Sequence, residues 1–176
     1  MLNTKDENIN KLETQIAQIQ NTTPHNQPVQ QVVQVTTPPK TRSANLDHAS
    51  QIMQKYDLAL SNFNSRNYNA VITGLTDLLE KNPNHQRSSN FVYWIGESFF
   101  ALKNYIEAQK FFQTVSTYKN SPKLDYALYM EGRCLYNLGD NNKAALKFEE
   151  LLKKHPSSSL TGKATNYLQK IQRVIS

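Results

Sequence analysis

The side chains that most often carry catalysis or bind metal ions are few in this sequence and far apart. No histidine has a second one at the i, i+4 spacing that would let two imidazoles hold one metal ion on a helix. The four are His25, His48, His85 and His155. The single cysteine, Cys134, lies in an apolar helix-like run, where a small buried side chain is expected. The sequence therefore predicts no catalytic residue, no metal site, no cofactor and no enzyme.

Aromatic residues, in contrast, recur at a spacing that suits contact with another polypeptide. Tyr93, Glu97 and Phe100 lie at i, i+4 and i+7, which places them on one stripe of a helix. Two further stripes have the same spacing: Tyr56, Leu60 and Phe63, and Tyr129, Arg133 and Tyr136. Rings of this kind anchor protein interfaces, although they also pack between neighbouring helices, and the spacing alone leaves both interpretations open.

Each stripe belongs to one copy of an internal repeat. The segments Tyr93–Phe112 and Tyr129–Phe148 align at an offset of 36 residues, and Tyr56–Leu75 aligns with the first of them at an offset of 37. Small and aromatic residues fall on the same positions, and each copy runs into a helix-ending motif: KNPN, KNSP or KHPS. A period in the mid-thirties with two helices per unit predicts an all-α solenoid.

Two copies carry a glycine inside the first helix, where glycine costs about 1 kcal/mol relative to alanine. We expect Gly96 and Gly132 to lie where the second helix crosses, with Ala108 and Ala144 as the small residues opposite. The close approach would let flanking large side chains interlock, and burying one such side chain contributes about 1.5–3 kcal/mol. Replacing Gly132 with leucine is therefore expected to lower the melting temperature sharply.

These positions resemble the tetratricopeptide (TPR) repeat. The match is carried in the middle copy by Ile95, Gly96, Phe99, Ala108 and Phe112, and in the third by Gly132, Leu135, Ala144, Phe148 and Pro156. The first copy, with Ala59, Val71 and Leu75, departs from the pattern at Asn62. The resemblance implies a right-handed solenoid with repeats at about 52–86, 89–123 and 125–158. The sequence after Pro156 predicts a capping helix at 160–175, because its apolar residues have an amphipathic helical spacing: Leu160, Ala164, Tyr167, Leu168 and Ile171.

The resemblance also implies that the aromatic stripes line the concave groove of the solenoid. In that case the groove binds an extended or helical peptide, because aromatic contacts anchor such ligands. The residues assigned to this peptide-binding groove are Tyr56, Leu60, Phe63, Tyr93, Glu97, Phe100, Tyr129, Arg133 and Tyr136.

The sequence ahead of the repeats divides into two zones. Residues 1–20 have a short heptad pattern, which predicts a coiled-coil remnant that self-associates. Its apolar positions are Ile9, Leu12, Ile16 and Ile19. Residues 21–44 contain four prolines and no aromatic residue, so they are expected to form a disordered Pro/Gln-rich linker ahead of a TPR domain at 45–176.

Charge and hydropathy limit the partners of this chain. The net charge is +6, but lysine and arginine alternate with acidic residues, so the sequence predicts solvated helix faces rather than a nucleic-acid site. No stretch is apolar for long enough to insert directly into a membrane. The start of the sequence has no basic region followed by an apolar one, so no export signal is expected within it.

The order of coil, linker and C-terminal repeats resembles the periplasmic cell-division coordinators of the Tol–Pal envelope system. The stretches from Tyr93 to Asp140 and from Phe148 to Ile171 carry this likeness. It implies a periplasmic adaptor that links outer-membrane constriction to peptidoglycan synthesis, with the Tol energy-transducing protein and a cell-wall synthase as partners. The alternatives are a TPR subunit of outer-membrane protein assembly and a cytosolic chaperone-type TPR adaptor.

Overall fold

The structure, a computed structural model, describes residues 40–175, and within that range it contains seven α-helices and no strand. The helices are α1 (Lys40–Asn64), α2 (Tyr68–Lys81), α3 (Ser88–Ala101), α4 (Tyr105–Val115), α5 (Leu124–Asn137), α6 (Asn141–Lys154) and α7 (Thr161–Ile175). Within the described range, no helix is long and apolar enough to cross a bilayer. The predicted coil at 1–20 and residues 21–39 of the predicted linker lie outside the described residues.

One boundary differs from the sequence-based expectation. The linker was predicted to extend to residue 44, but α1 begins at Lys40, and residues 40–51 of this helix lie ahead of the predicted first repeat. The apolar residues in this part of α1 do not recur at the spacing that predicts a packed helix. The described side chains from Asp47 to Gln51 are exposed. Half of residues 40–51 are poor helix formers, so we attribute this part of the helix to continuity with the packed half of α1, because extending a formed helix is easier than nucleating one.

The helices are stacked in chain order. Each one packs mainly against the helix before it and the helix after it, which is the arrangement of a solenoid. Helices α1, α3 and α5 are the first helices of the three repeats, α2, α4 and α6 are the second helices, and α7 packs on α6 at the C-terminal end. The all-α solenoid predicted from the repeat period is confirmed.

The turns within the three repeats have one backbone design. Arg66, Lys103 and Gly139 occupy equivalent positions and all have positive φ angles, of 61°, 61° and 85°. The residue after each of them donates its N–H to a carbonyl of the preceding helix, as Asn104 does to Phe99 at 2.9 Å. Glycine adopts this backbone without strain, whereas arginine and lysine do not. Only the third copy therefore has the residue type that the turn favours.

The glycines lie at the helix crossings, as expected, but the side chain opposite each one differs from the prediction. A Cβ on Gly96 would lie 2.9 Å from a ring carbon of Phe112, and one on Gly132 would lie 2.6 Å from Phe148. Rings, and not Ala108 and Ala144, are thus the nearest groups, although both alanines are fully buried. The glycine leaves space for a buried phenyl ring of the second helix.

One core position carries a charge. Leu58, Ile95 and Glu131 are equivalent in the three copies, and Glu131 is almost completely buried. Its carboxylate pairs with Lys147 Nζ of α6 at 3.0 Å. Burial raises the pKa of Glu131, and the hydrogen bond and charge of Lys147 offset this only in part. The ion pair joins α5 to α6, whereas the equivalent position of the second copy is the buried, apolar Ile95.

Candidate functional site

The first helices of the repeats and α7 contact one another through side chains and form one continuous surface, which we call the first-helix face. It is defined by ring contacts between α1 and α3, a cation–ring contact between α3 and α5, and ring contacts between α5 and α7. All nine residues that the sequence assigned to a peptide-binding groove lie on these helices. Whether they contact a partner stays a prediction.

Three of the predicted groove rings are not available for broad contact. Tyr56, Tyr93 and Tyr129 are 5%, 6% and 9% exposed, because they occupy equivalent positions between neighbouring helices. Their rings pack on core phenylalanines, for instance Tyr93 on Phe112 and Tyr129 on Phe148. Of the six rings assigned to the groove, the tyrosine that begins each stripe therefore packs between helices and offers little surface to a partner.

The other predicted residues are partly exposed. They are Leu60, Phe63, Glu97, Phe100, Arg133 and Tyr136. Sequence reasoning missed three partly exposed aromatic residues that join them on the same face: Trp94, Tyr126 and Tyr167. Each lies next to a repeat position or in the capping helix, so the alignment of three copies did not single it out.

At the α1–α3 junction, Trp94 connects the two helices. Its indole Nε1 donates to the hydroxyl of Tyr56 at 3.0 Å, and its ring lies edge-on to Phe63 at 4.9 Å. Arg87 lies over the ring of Tyr56, 5.6 Å from its centre. Burial raises the pKa of the Tyr56 hydroxyl, so it remains a neutral donor and acceptor. This junction is mainly aromatic, and Arg87 and Asp57 are the charged residues that act on the Tyr56 hydroxyl.

The α3–α5 junction carries the charges. Tyr93 donates its hydroxyl to Glu97 Oε1 at 2.7 Å, and burial raises the pKa of that carboxyl. Arg133 lies over the ring of Phe100, with its guanidinium carbon 4.4 Å from the ring centre. Lys123 lies over Tyr93 at 5.1 Å and over Tyr126 at 4.8 Å. Two cations on aromatic rings thus surround one half-buried carboxylate.

At the α5–α7 junction, Tyr167 of the capping helix covers the end of the stack. Its ring is parallel to that of Phe148 at 4.9 Å and edge-on to Tyr136 at 5.1 Å. A third contact joins it to Tyr129 at 6.1 Å. Tyr167 therefore closes the core and also extends the first-helix face by one ring.

The remaining reactive side chains do not form a catalytic arrangement in the part of the chain that the structure describes. No group of three or more His, Cys, Asp or Glu side chains that could hold a metal ion occurs there. Cys134 is buried, as predicted, and burial raises the pKa of its thiol to about 12, so the unreactive thiol is the dominant form. His48 instead contacts Asn82 Oδ1 at 3.0 Å, which links α1 to the end of α2.

A family model described as "Tetratricopeptide repeat" matches residues 126–158, which is the third copy. A search of curated proteins found no match. Neither this family nor the solved structures that follow indicate an enzyme.

Two solved structures have a similar fold. One is the first TPR of Spaghetti (RPAP3) bound to the HSP90 peptide SRMEEVD, at a TM-score of 0.60 and 18% identity, covering 72% of this chain and 94% of that one. The other is the second TPR domain of human RPAP3 in complex with the HSP70 peptide SGPTIEEVD, at 0.58 and 19%, covering 70% and 97%. The helices of this chain thus follow the course of a TPR solenoid.

Proposed function

We propose that this TPR-repeat protein is a non-enzymatic adaptor that holds a peptide segment of a partner protein on its first-helix face. The observation that carries the proposal is the continuity of this face: partly exposed rings follow one another from α1 to α7. Phe63, Trp94, Phe100, Tyr136 and Tyr167 are these rings. An enzyme would need convergent reactive groups, whereas this face offers rings with fixed positions.

The physical basis is the low entropic cost of binding to such rings. Each is held by a neighbouring helix, so little side-chain freedom is lost when a ligand covers it. Aromatic residues and arginine dominate the binding energy of protein interfaces. Arg133 stacked on Phe100 combines both in one site. The face therefore suits a segment with apolar side chains and a few polar ones.

The partner that we propose comes from the sequence resemblance. The Tol–Pal-associated coordinators are periplasmic, so we propose that this adaptor acts in the periplasm and connects outer-membrane constriction with peptidoglycan synthesis. The Tol energy-transducing protein and a cell-wall synthase are then the candidate partners. The support for this step is the likeness of residues 93–140 and 148–171 and the order of coil, linker and repeats.

A chaperone-type adaptor is the second candidate, because both solved neighbours carry peptides that end in EEVD. Such an adaptor needs lysine and asparagine side chains across the groove. On this face the equivalent positions are mostly aromatic, with Lys123 and Arg133 as the cations of the α3–α5 junction. The remaining candidate, a TPR subunit of outer-membrane protein assembly, is supported only by the similarity of its repeats to those of this chain.

The test compares two leucine variants. Leu60 lies on the first-helix face and is partly exposed, whereas Leu146 lies on α6, a second helix, and is largely exposed. We expect the full chain to bind the periplasmic domain of the Tol energy-transducing protein in a calorimetric titration, Leu60→Gln to weaken binding at least about tenfold, and Leu146→Gln to leave it unchanged.

Each alternative gives a different result. Binding that both variants retain would exclude the first-helix face while keeping the partner. Binding of an EEVD peptide but not of the Tol domain would favour the chaperone-type adaptor. Circular dichroism and thermal unfolding of both variants are the control, because Leu60 also packs against the core.

A further inference from the structure

The α1–α3 junction carries a cluster of three partly exposed rings, which we call the aromatic patch: Phe63, Tyr68 and Trp94. Phe63 lies in the middle, with its ring edge-on to Trp94 at 4.9 Å and to Tyr68 at 5.3 Å. The Trp94 indole is also held by its hydrogen bond to the Tyr56 hydroxyl at 3.0 Å. The patch is therefore a positioned, uncharged ring surface that a ligand can cover at little entropic cost.

Surfaces of this kind bind extended segments that contain proline. The proline ring packs on aromatic rings, and a polyproline-type segment has little conformational freedom to lose on binding. The sequence ahead of α1 has this composition. Residues 21–39, which lie outside the described residues, contain four prolines and no Asp, Glu, Lys or Arg. Within them, the stretch PHNQPVQQV places Pro28 next to the apolar Val29.

The length of the chain allows this stretch to reach the aromatic patch of its own molecule. Helix α1 begins at Lys40, and the 23 residues from there to Phe63 span about 35 Å at roughly 1.5 Å each. The 12 residues from Pro28 to Lys40 span up to about 40 Å when extended, at roughly 3.3 Å each. A segment that runs back along α1 therefore brings Pro28 and Val29 to the rings.

Charge favours the aromatic patch over the next junction of the same face. The α3–α5 junction carries Glu97, Lys123 and Arg133. An uncharged segment would remove water from these groups without supplying a charge in return, which is unfavourable. On the rings of the aromatic patch, the same segment covers apolar surface and displaces little polar hydration.

We propose that residues 24–32 bind the aromatic patch of the same molecule, with Pro28 and Val29 on the rings of Phe63 and Trp94. The bound segment covers one end of the first-helix face, so a partner segment has to displace it. The inference adds an internal competitor to this face, and only this consequence for the partner rests on the proposed function.

The covalent connection makes weak binding sufficient. A connection of this length gives the segment an effective concentration of about 1 mM. A stretch that binds as a free peptide with a dissociation constant of about 1 mM would then occupy the patch roughly half of the time. The same stretch of a second copy, at micromolar protein concentration, would occupy it far less. The segment of the same chain is therefore the favoured occupant.

Trp94 provides the measurement, because it is the only tryptophan in the sequence. Its emission spectrum and its quenching by acrylamide are recorded for the full chain at low micromolar concentration. We expect Pro28→Asp/Val29→Asp to raise the quenching constant at least about twofold and to shift the emission to longer wavelength. The reason is that two carboxylates do not lose their water to pack on rings, so the segment leaves the indole.

Thr36→Asp/Thr37→Asp is the matched control. It adds the same charge to residues 21–39, but the two threonines lie within about 13 Å of Lys40 along an extended chain, too close to reach the rings. Its quenching constant is expected to equal that of the parent. Far-UV circular dichroism and thermal unfolding of all three chains check that the helices are retained.

The possible outcomes separate this inference from the proposed function. Equal quenching of the parent and both variants overturns the inference, and so does an equal rise in both variants, which would follow charge and not position. Shielding of Trp94 that disappears on dilution of the parent assigns the patch to a second copy and overturns the intramolecular contact. The proposed function fails by a separate result, in which the Pro28→Asp/Val29→Asp chain binds neither the Tol domain nor an EEVD peptide.

Discussion

A methyl group added at Gly132 would lie 2.6 Å from the ring of Phe148, closer than side-chain carbons approach one another in folded proteins. Because Phe148 is fully buried, its ring has little space to move. We expect Gly132→Ala to lower the free energy of unfolding by about 1–3 kcal/mol through overpacking, although alanine favours the helix. Thermal and urea unfolding monitored by circular dichroism measure the change.

Gly74 provides the matched control. It lies inside α2, has no atom within 4 Å of an added Cβ, and is exposed. Gly74→Ala should therefore raise stability by up to about 1 kcal/mol through helix propensity alone. If Gly132→Ala were stabilising to the same extent, the ring contact would not explain why glycine occurs in this helix.

The sequence predicted this crossing at the level of residue type but not of contact. An unfavourable glycine inside an apolar helix indicates a close approach, which the structure confirms at Gly96 and Gly132. Which side chain faces each glycine depends on rotamers, and the spacing in the sequence does not determine these. A phenyl ring therefore lies where alanine was expected. The same limit explains Tyr93: spacing placed it on the first-helix face, but not whether its ring points between the helices.

At the scale of the element, α7 shows what the end of a solenoid requires. Tyr167 covers Phe148 and contacts Tyr136 and Tyr129, so one half-buried ring shields the core of the third repeat. We expect Tyr167→Ala to lower the free energy of unfolding by about 2–3 kcal/mol, because the substitution removes a large, partly buried ring. In a domain of this size, such a loss lowers the melting temperature by several degrees. Differential scanning calorimetry measures it.

Asn166→Ala is the control for this element, since the neighbouring side chain is exposed and lies on the same helix. It should leave the melting temperature within about one degree of the parent, because exposed substitutions change stability little. Equal melting temperatures for the parent and Tyr167→Ala would mean that α7 does not stabilise the third repeat.

The elements differ in how far the sequence predicted them. The amphipathic pattern at Leu160, Ala164 and Ile171 predicted a capping helix, and these three residues are buried in the structure. Residues 40–44 of α1 were assigned to the linker because this short stretch has no apolar face, and local propensity is a weak indicator by itself. The charged junction between α3 and α5 was predicted only in part, since Lys123 lies outside the helical spacing.

At the scale of the whole molecule, the two ends of the stack are unequal. Leu58 is 63% exposed, although the equivalent Ile95 and Glu131 are buried. No described helix precedes α1, and the surrounding side chains on that surface, Gln51, Gln54 and Lys55, are polar and exposed. Among residues 40–175, the N-terminal end of the stack is therefore lined by exposed, mostly polar residues, whereas the C-terminal end is covered by α7.

This difference predicts a gradient of local stability, because in a repeat protein each helix pair is stabilised by its neighbours. Native-state hydrogen exchange read by mass spectrometry should find the slowest amides in α3, α4 and α5, which lie in the middle of the stack. The first turns of α1 should exchange at least about tenfold faster, and α6 and α7 at intermediate rates. Equal protection of all helices from α1 to α7 would contradict this gradient. It would mean that the described helices unfold as one cooperative unit and that the exposed α1 surface does not lower local stability.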